Sequence, residues 1–359
     1  MTIQTIPSFI ILLGVLITVH ELGHFLVAKA LGFKVLKFSL GFGPVLWSTR
    51  RGETEYALSA FPLGGFVKFH GEELAENETP GPEAESDPDA NRRFFARPVW
   101  HRIATVFSGP FMNLVLGLVL FVFLSFFGRE VMLPVVGDVT KGMPAEAAGL
   151  VKGDRIVAVD GKPVASWDEM RLALHLAGVK EIAIKAVRGG EEKTFTLKPV
   201  LTKDGEAKME RPVIGIVWGG QSEYVSIPWT EAPMEGVRQT VKAVSLTLEV
   251  MARLFTGRGS ANEVGGPIAI ADMAGKALSA GILPFIYLMA ALSVNLAVLN
   301  LLPVPILDGG LLVFLLLEAA IGRPVNLRIR EIAQQAGLAM LALLIGFVLY
   351  VDIARLLGR

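Results

Sequence analysis

The chain has 359 residues, 52% of them hydrophobic and 19% charged, and its 34 Lys and Arg are balanced by 34 Asp and Glu. Ordinary soluble domains are about 45–50% apolar and about 25% charged, and a nucleic-acid binder needs a basic footprint, so neither description fits; length alone allows roughly two or three domains. The absence of Cys excludes disulfides, thiolate zinc sites, iron–sulfur clusters and thiol nucleophiles, and any tightly held transition metal must use His, Asp or Glu.

The first element, 1–31, holds a stretch long enough to cross a bilayer, which takes about 20 apolar residues. A transmembrane helix is expected over 6–28. A secretory signal peptide is the alternative, but residues 1–19 hold no Lys or Arg and no clean small-residue cleavage site follows. The stretch carries His20-Glu21-Leu-Gly-His24. His at i and i+4 lie one above the other on a helix face, so both imidazoles reach one metal ion at the usual Zn–N distance of about 2.0–2.1 Å. Glu21 sits beside them, where it can act as general base on a metal-bound water. Two core histidines would be the bland reading in a soluble helix; inside a membrane helix, ionisable residues are expensive and point to function.

Residues 32–71 interleave Val35, Phe38, Trp47, Tyr56, Leu58, Phe66 and Val67 with Gly41, Gly43, Gly52, Gly64 and Gly65. This pattern predicts two or three strands with tight turns, too apolar for an ordinary cytoplasmic loop. Such backbone enters a membrane only where protein or a wet cavity satisfies it. Residues 72–102 follow as an acidic, Pro-rich loop over 72–91 and a basic segment. The uncharged run 103–128 gives the second transmembrane helix, over 104–127.

Residues 129–220 form a soluble module. Strands are expected at 155–159, 181–187 and 193–198 from their alternation, hairpin turns at Asp160-Gly161 and Gly189-Gly190, and a helix at 166–176 with Ser166 as N-cap and Glu169 at the capping-box position. Pro-Ala-Glu-Ala-Ala-Gly-Leu at 144–150, Gly153-Asp154 and Asp160-Gly161 resemble a bacterial, circularly permuted PDZ domain, present in one copy; the resemblance implies binding of an extended peptide by strand addition. A small β domain without a ligand is the alternative. Residues 221–280 give an amphipathic helix at 228–255, with Val237, Val241, Val244, Leu248 and Met251 on one face, and a Gly-rich connector at 257–266. This helix either lies on the membrane interface or packs on the third span.

No charge falls between Lys276 and Asp308, so the third transmembrane helix is placed at 281–303 within the segment 281–308. It ends in Asn300-Leu-Leu-Pro303-Val-Pro305-Ile-Leu-Asp308-Gly309-Gly310, where two prolines free backbone groups. Residues 309–331 are a connector. The fourth span, over 332–352, lies in 332–359. Lys and Arg that flank the spans gather in the 29–103 and 308–331 segments, which places those segments in the cytoplasm and the N-terminus and soluble module outside.

A metal held by His20 and His24 needs a third ligand. The pair lies about 14–18 residues into the first helix, or roughly 21–27 Å along it, and Asp308 is at the inner end of a helix running the same way. Both arrive at similar depth, and His20, His24 and Asp308 can surround one ion with a position left for water, the open arrangement of catalytic zinc sites. On residues alone, Asp308 reads first as the opening residue of a cytoplasmic loop, with Asp-Gly as a turn; the shared depth of the two helices changes that. A metal transporter and a silent scaffold presenting its soluble module stay open, although four spans show no inverted repeat and a scaffold does not explain Glu21.

The HExxH pattern on a first membrane helix, Asn-x-x-Pro-x-Pro-x-Leu-Asp-Gly on a third and the inserted PDZ-like module together resemble the site-2 protease family of intramembrane zinc metalloproteases. They are most similar to the bacterial group that cleaves anti-sigma factors and remnant signal peptides. The resemblance implies a polytopic α-helical protein of the bacterial inner membrane with four transmembrane helices, a membrane-associated β element and an inserted extracytoplasmic PDZ domain. It implies Zn²⁺ held by His20, His24 and Asp308 in the cytoplasmic half, with Glu21 as the catalytic base. Gly109-Pro110-Phe-Met-Asn113 is similar to a family motif near the active site. Segment 34–70 would be a membrane-reentrant element that pairs with an unwound substrate, through Gly-Phe-Gly-Pro at 41–44 and Leu-Gly-Gly-Phe-Val at 63–67. Asn300, Asn113, Gly43, Gly64 and Gly65 are the expected substrate contacts, with helix packing an equal alternative for the two Asn. The expected partners are transmembrane proteins or peptides as substrates, a peptide ligand of the PDZ domain and the lipid bilayer, with no nucleic acid. Some members carry two PDZ copies, so gating details do not transfer to this single-copy chain.

Overall fold

The computed structural model describes residues 4–71, 87–203, 210–256 and 266–356; most of the acidic stretch 72–91 and of the Gly-rich stretch 257–266 lies outside the described residues. The chain divides into two compact units, one of residues 1–124, 233–252 and 261–359, the other of 125–232 and 253–260. Among the described residues, four helices are long and apolar enough to cross a membrane: Thr5–Ala30, Val99–Ser125, Ile282–Asn300 and Arg328–Val348. These coincide with the four expected spans apart from their ends.

The first unit begins with α1 (Thr5–Ala30), followed by β1 (Val35–Arg51) and β2 (Thr54–Phe69), which form one antiparallel sheet. The sheet folds back on itself. Lys37–Leu40 pairs with Lys68 to Gly65 on one side and with Glu55 to Leu58 on the other, while Trp47 to Arg51 pairs with Leu58 to Thr54. Among the described residues, 65–69 therefore pair on one side only and form an edge. Phe33, Val35 and Phe94 seal the base of this sheet against Ala28 of α1 and Val106 of α2 (Val99–Ser125).

The second unit starts with β3 (Arg129–Met132) and β4 (Val136–Val139), the turn α3 (Pro144–Ala147), β5 (Arg155–Val159), β6 (Lys162–Pro163) and α4 (Trp167–Ala177). It continues with β7 (Ile182–Arg188), β8 (Glu191–Leu197), β9 (Val200–Lys203), β10 (Glu210–Val213), β11 (Ile216–Trp218) and β12 (Ser222–Val225). Its main sheet has the order β6-β5-β7-β8. The expected turns are present: Asp160 and Gly161 take φ of 50° and 78°, the left-handed values a two-residue hairpin needs. Ser166 Oγ accepts from Glu169 N at 3.1 Å, the expected N-cap. The Glu169 carboxylate reaches back to Ala165 N rather than to Ser166 N, so the reciprocal half of the capping box slips by one residue. Ile156, Met170, Ile182, Ile184 and Ile214 are its fully buried core, each contributing about 1.5–3 kcal/mol. The expected boundary at 220 moves outward, because β12 at 222–225 pairs with β3.

The chain then returns to the first unit with α5 (Ala232–Phe255), α6 (Pro267–Ala280), α7 (Ile282–Asn300), α8 (Asp308–Ile321) and α9 (Leu327–Leu356). Two of these helices correct the sequence reading, which gave a connector before 281 and another over 309–331. The uncharged run hid both breaks. Gly281, at φ 135°, separates α6 from α7, and α7 ends at Asn300, so that Asp308 opens a helix of its own. The α6 N-terminus is held by α9: the buried Asp352 carboxylate accepts N–H bonds from Gly266, Ile268 and Ala269 at 3.0–3.2 Å, an anion where a helix leaves donors unpaired. The amphipathic helix turns much of its apolar face outward, although Val244 of that face packs on the Phe121–Val294 cluster. Val237, Val241 and Leu248 of α5 are exposed, while a small or polar face turns inward. Gly236 sits on Val122, Ala243 joins the Phe121–Val294 cluster, and Thr247 Oγ1 bonds Asn295 Oδ1 at 2.5 Å. Close packing through small residues, with oil turned outward, is how helices associate in lipid.

Candidate metal centre

His20 and His24 occur on the buried face of α1. Their Nε2 atoms are 3.3 Å apart. Asp308, the first residue of α8, puts Oδ2 3.1 Å from His20 Nε2 and Oδ1 3.6 Å from His24 Nε2. Four ligands at about 2.0–2.1 Å in a tetrahedron stand about 3.3–3.4 Å from one another. The three separations bracket that value, and the neutral nitrogen and carboxylate donors suit Zn²⁺. The residues fit the ion.

The turn before Asp308 explains how the carboxylate gets there. Pro303 and Pro305 end α7, and Ile306 sits at φ 92°, a left-handed conformation that a β-branched residue adopts only under constraint. Gly309 and Gly310 let the new helix start against the old one: a Cβ on either would strike the backbone of 301–305.

The imidazoles are oriented from α2. His24 Nδ1 donates to the Thr105 carbonyl at 2.8 Å, which leaves the Nε2 lone pair facing Asp308. Asn113, fully buried, has its amide nitrogen 3.2 Å from His20 Nδ1. A Cβ at Gly109 would overlap the His24 ring.

His20, Glu21, His24 and Asp308 line one cavity of about 510 Å³. Gly65, Phe66, Val67 and Phe69 of the β2 edge form one wall, and Asn300 and Ile306 another. Gly65 lies against Glu21: a Cβ there would be 2.9 Å from Glu21 Cγ. Of the expected substrate contacts, Gly65 and Asn300 border the cavity. Gly43 and Gly64 instead make room for the rings of Phe61 and Phe42 within the hairpin, and Asn113 faces His20 from behind. The sequence reading missed the Thr105 carbonyl, whose role leaves no mark in a side chain. It also missed Arg330, Glu331 and Gln334 of α9, which line the cavity.

The profile described as peptidase family M50 matches residues 8–344. The chain belongs to that family. This bears out the resemblance to the site-2 proteases, and the protein is a membrane metalloprotease. A protein of Rhizobium meliloti, named by inference a zinc metalloprotease, is 39% identical over 99% of this chain and 97% of the relative. Similarly named proteins of Mesorhizobium japonicum and Agrobacterium fabrum are 40% and 37% identical, over 98% of this chain and 99% and 96% of theirs. Among solved structures, the PDZ domain of an SdrC-like protein from Listeria monocytogenes is 28% identical, over 23% of this chain and 82% of that one, with a TM-score of 0.20.

Proposed function

We propose that this M50 peptidase is a zinc enzyme of the bacterial inner membrane that hydrolyses peptide bonds inside the transmembrane segments of single-span proteins, as in regulated intramembrane proteolysis. The reading rests on the convergence of His20, His24, Asp308 and Glu21 on one cavity walled by the edge of β2. His20 and His24, through Nε2, and Asp308, through a carboxylate oxygen, would hold the Zn²⁺ for which the relatives are named. When bound, the ion supplies a Lewis acid for the scissile carbonyl and lowers the pKa of a water towards about 7. Glu21 accepts a proton from the attacking water on a carboxylate oxygen and returns it to the departing amine.

A peptide bond in a transmembrane helix is shielded by its own hydrogen bonds, so the substrate must unwind. Residues 65–69 offer an edge where an extended segment is held as an added strand, with Gly65 keeping that edge against Glu21. Asn300 positions the substrate backbone or the developing oxyanion. The N-terminus and the soluble unit lie outside the cytoplasm, that unit acts as a PDZ domain for an extended peptide, and the cavity opens in the cytoplasmic half. Co-expression of wild type or Glu21→Gln with a single-span model substrate tests the reading. A cleaved product is expected from wild type alone; cleavage by a zinc-loaded Glu21→Gln variant would defeat it.

A further inference from the structure

Thr105, Gly109 and Asn113 are spaced by four, so they form a stripe on one face of α2, and the stripe meets the similarly spaced His20 and His24 turn for turn. The Thr105 carbonyl accepts from His24, Gly109 clears space for that ring, and Asn113 stands 3.2 Å from Nδ1 of His20.

The two rings have the same need. An imidazole that ligates through Nε2 is neutral and carries its proton on Nδ1, so each Nδ1 requires an acceptor. His24 has a carbonyl. At His20 the side chain present is the Asn113 amide, whose oxygen and nitrogen are alike in shape and exchange places by a half-turn. Its Oδ1 has no hydrogen-bond partner among the described residues, so no bond to that oxygen there opposes the turn. Asn113 is wholly buried, and its backbone carbonyl is fixed to α7 by Ser293 Oγ at 2.7 Å.

We propose that Asn113 is a positioning residue of the metal centre: its Oδ1 accepts the Nδ1 proton of His20 and holds the ring with Nε2 toward Asp308 and His24. This rests on the reading of His20, His24 and Asp308 as ligands, and it gives Asn113 a role other than substrate contact.

The test is zinc affinity of the full chain in detergent, by competition with a chromophoric chelator. Asn113→Leu keeps the bulk and loses the acceptor, and affinity is expected to fall about 10–100-fold, the usual effect of losing such a partner. Asn113→Asp keeps an acceptor and is expected to stay within a few-fold of wild type. Ser293→Ala loosens the same point of α2 without touching the amide, and is expected to leave affinity unchanged. The visible spectrum of the Co²⁺-loaded protein should shift in Asn113→Leu and not in Ser293→Ala. Wild-type zinc affinity in Asn113→Leu, with only KM raised, would overturn the proposal in favour of substrate contact. So would an Asn113→Asp variant as weak as Asn113→Leu, or a Ser293→Ala variant weakened equally. If His20→Ala still bound zinc as wild type does, the ligand reading itself would fail and take the proposal with it; lost binding in His20→Ala beside an unaffected Asn113→Leu would defeat the proposal alone.

Discussion

Asp308 Oδ2 lies 3.1 Å from His20 Nε2, brought there by a turn in which two prolines and a left-handed Ile306 end one helix and start the next. The carboxylate is thus placed by backbone rather than by a flexible side chain. Asp308→Ala is expected to abolish stoichiometric zinc, because two imidazoles alone make an incomplete site. His175→Ala, in α4 of the second unit, should leave zinc content unchanged. Metal analysis of both purified variants checks the pair.

Glu21 shares the cavity with His20, His24 and Asp308, yet it is not one of the three residues whose donor atoms cluster. Glu21→Gln should therefore retain zinc and lose about 10²–10⁴-fold in kcat, the range for removal of a general base. Zinc content and turnover measured on the same preparation separate the two effects; loss of both together would make Glu21 a ligand.

Gly65 has no room for a side chain: an added Cβ would be 2.9 Å from Glu21 Cγ and from the Ser39 carbonyl, and 3.2 Å from Ile17 Cγ2. Gly65→Ala must push the β2 edge away from α1, at about 1–3 kcal/mol, and should lower kcat/KM while zinc affinity stays near wild type. Gly14, on the same helix as Glu21, has open space around it among the described residues. Gly14→Ala should instead stabilise by about 0.5–1 kcal/mol with activity intact, as thermal unfolding and turnover assays would report.

The His pair was legible because its chemistry is written in a local spacing. Asp308 was legible only once the spans were laid side by side, since its place depends on a turn. The contact of Asn113 with His20 was not legible, because the register of α2 against α1 is set by packing, although Gly109 and Asn113 repeat the spacing of the His pair. The breaks that bound α6 and α8 were missed because the charge-free run between Lys276 and Asp308 carries no punctuation except Gly281 and the prolines. The placement of α5 was left open between the membrane interface and the third span, because an apolar face marks the core only when the solvent is water; here Val237, Val241 and Leu248 face outward while Gly236, Thr240 and Val244 pack inward.

Arg102 of α2 and Glu318 of α8 form a two-pronged pair, at 2.6 and 3.0 Å, with side chains only 6% and 13% exposed. Removing one partner strands the other charge, which costs about 3–5 kcal/mol, whereas replacing both by apolar residues of similar volume is often neutral. Glu318→Leu should lower the thermal midpoint sharply, and Arg102→Met combined with Glu318→Leu should recover most of it. A double variant as unstable as the single would show that the pair does more than neutralise itself.

Acid should loosen the second unit through Asp154. This side chain is fully buried and accepts from Val151 N at 2.9 Å and from Arg188 Nε and Nη2 at 2.7 and 2.8 Å. Burial pushes its carboxyl up, but the Arg188 hydrogen bonds, the Val151 N–H and the nearby positive charge outweigh that and hold it below the ordinary carboxylate value. A carboxyl depressed in the folded state contributes stability above its unfolded value of about 3.9, and the contribution is lost as pH falls through the folded value. The urea midpoint of the unit should therefore fall as pH drops below about 4. Asp154→Asn should lower the midpoint at neutral pH and flatten that acid limb, because the amide does not titrate. Trp167, Trp218 and Trp229 belong to this unit, so their fluorescence reports it once the other two tryptophans are replaced by Phe. An acid limb of the same steepness in the Asn variant would move the titration to another carboxylate.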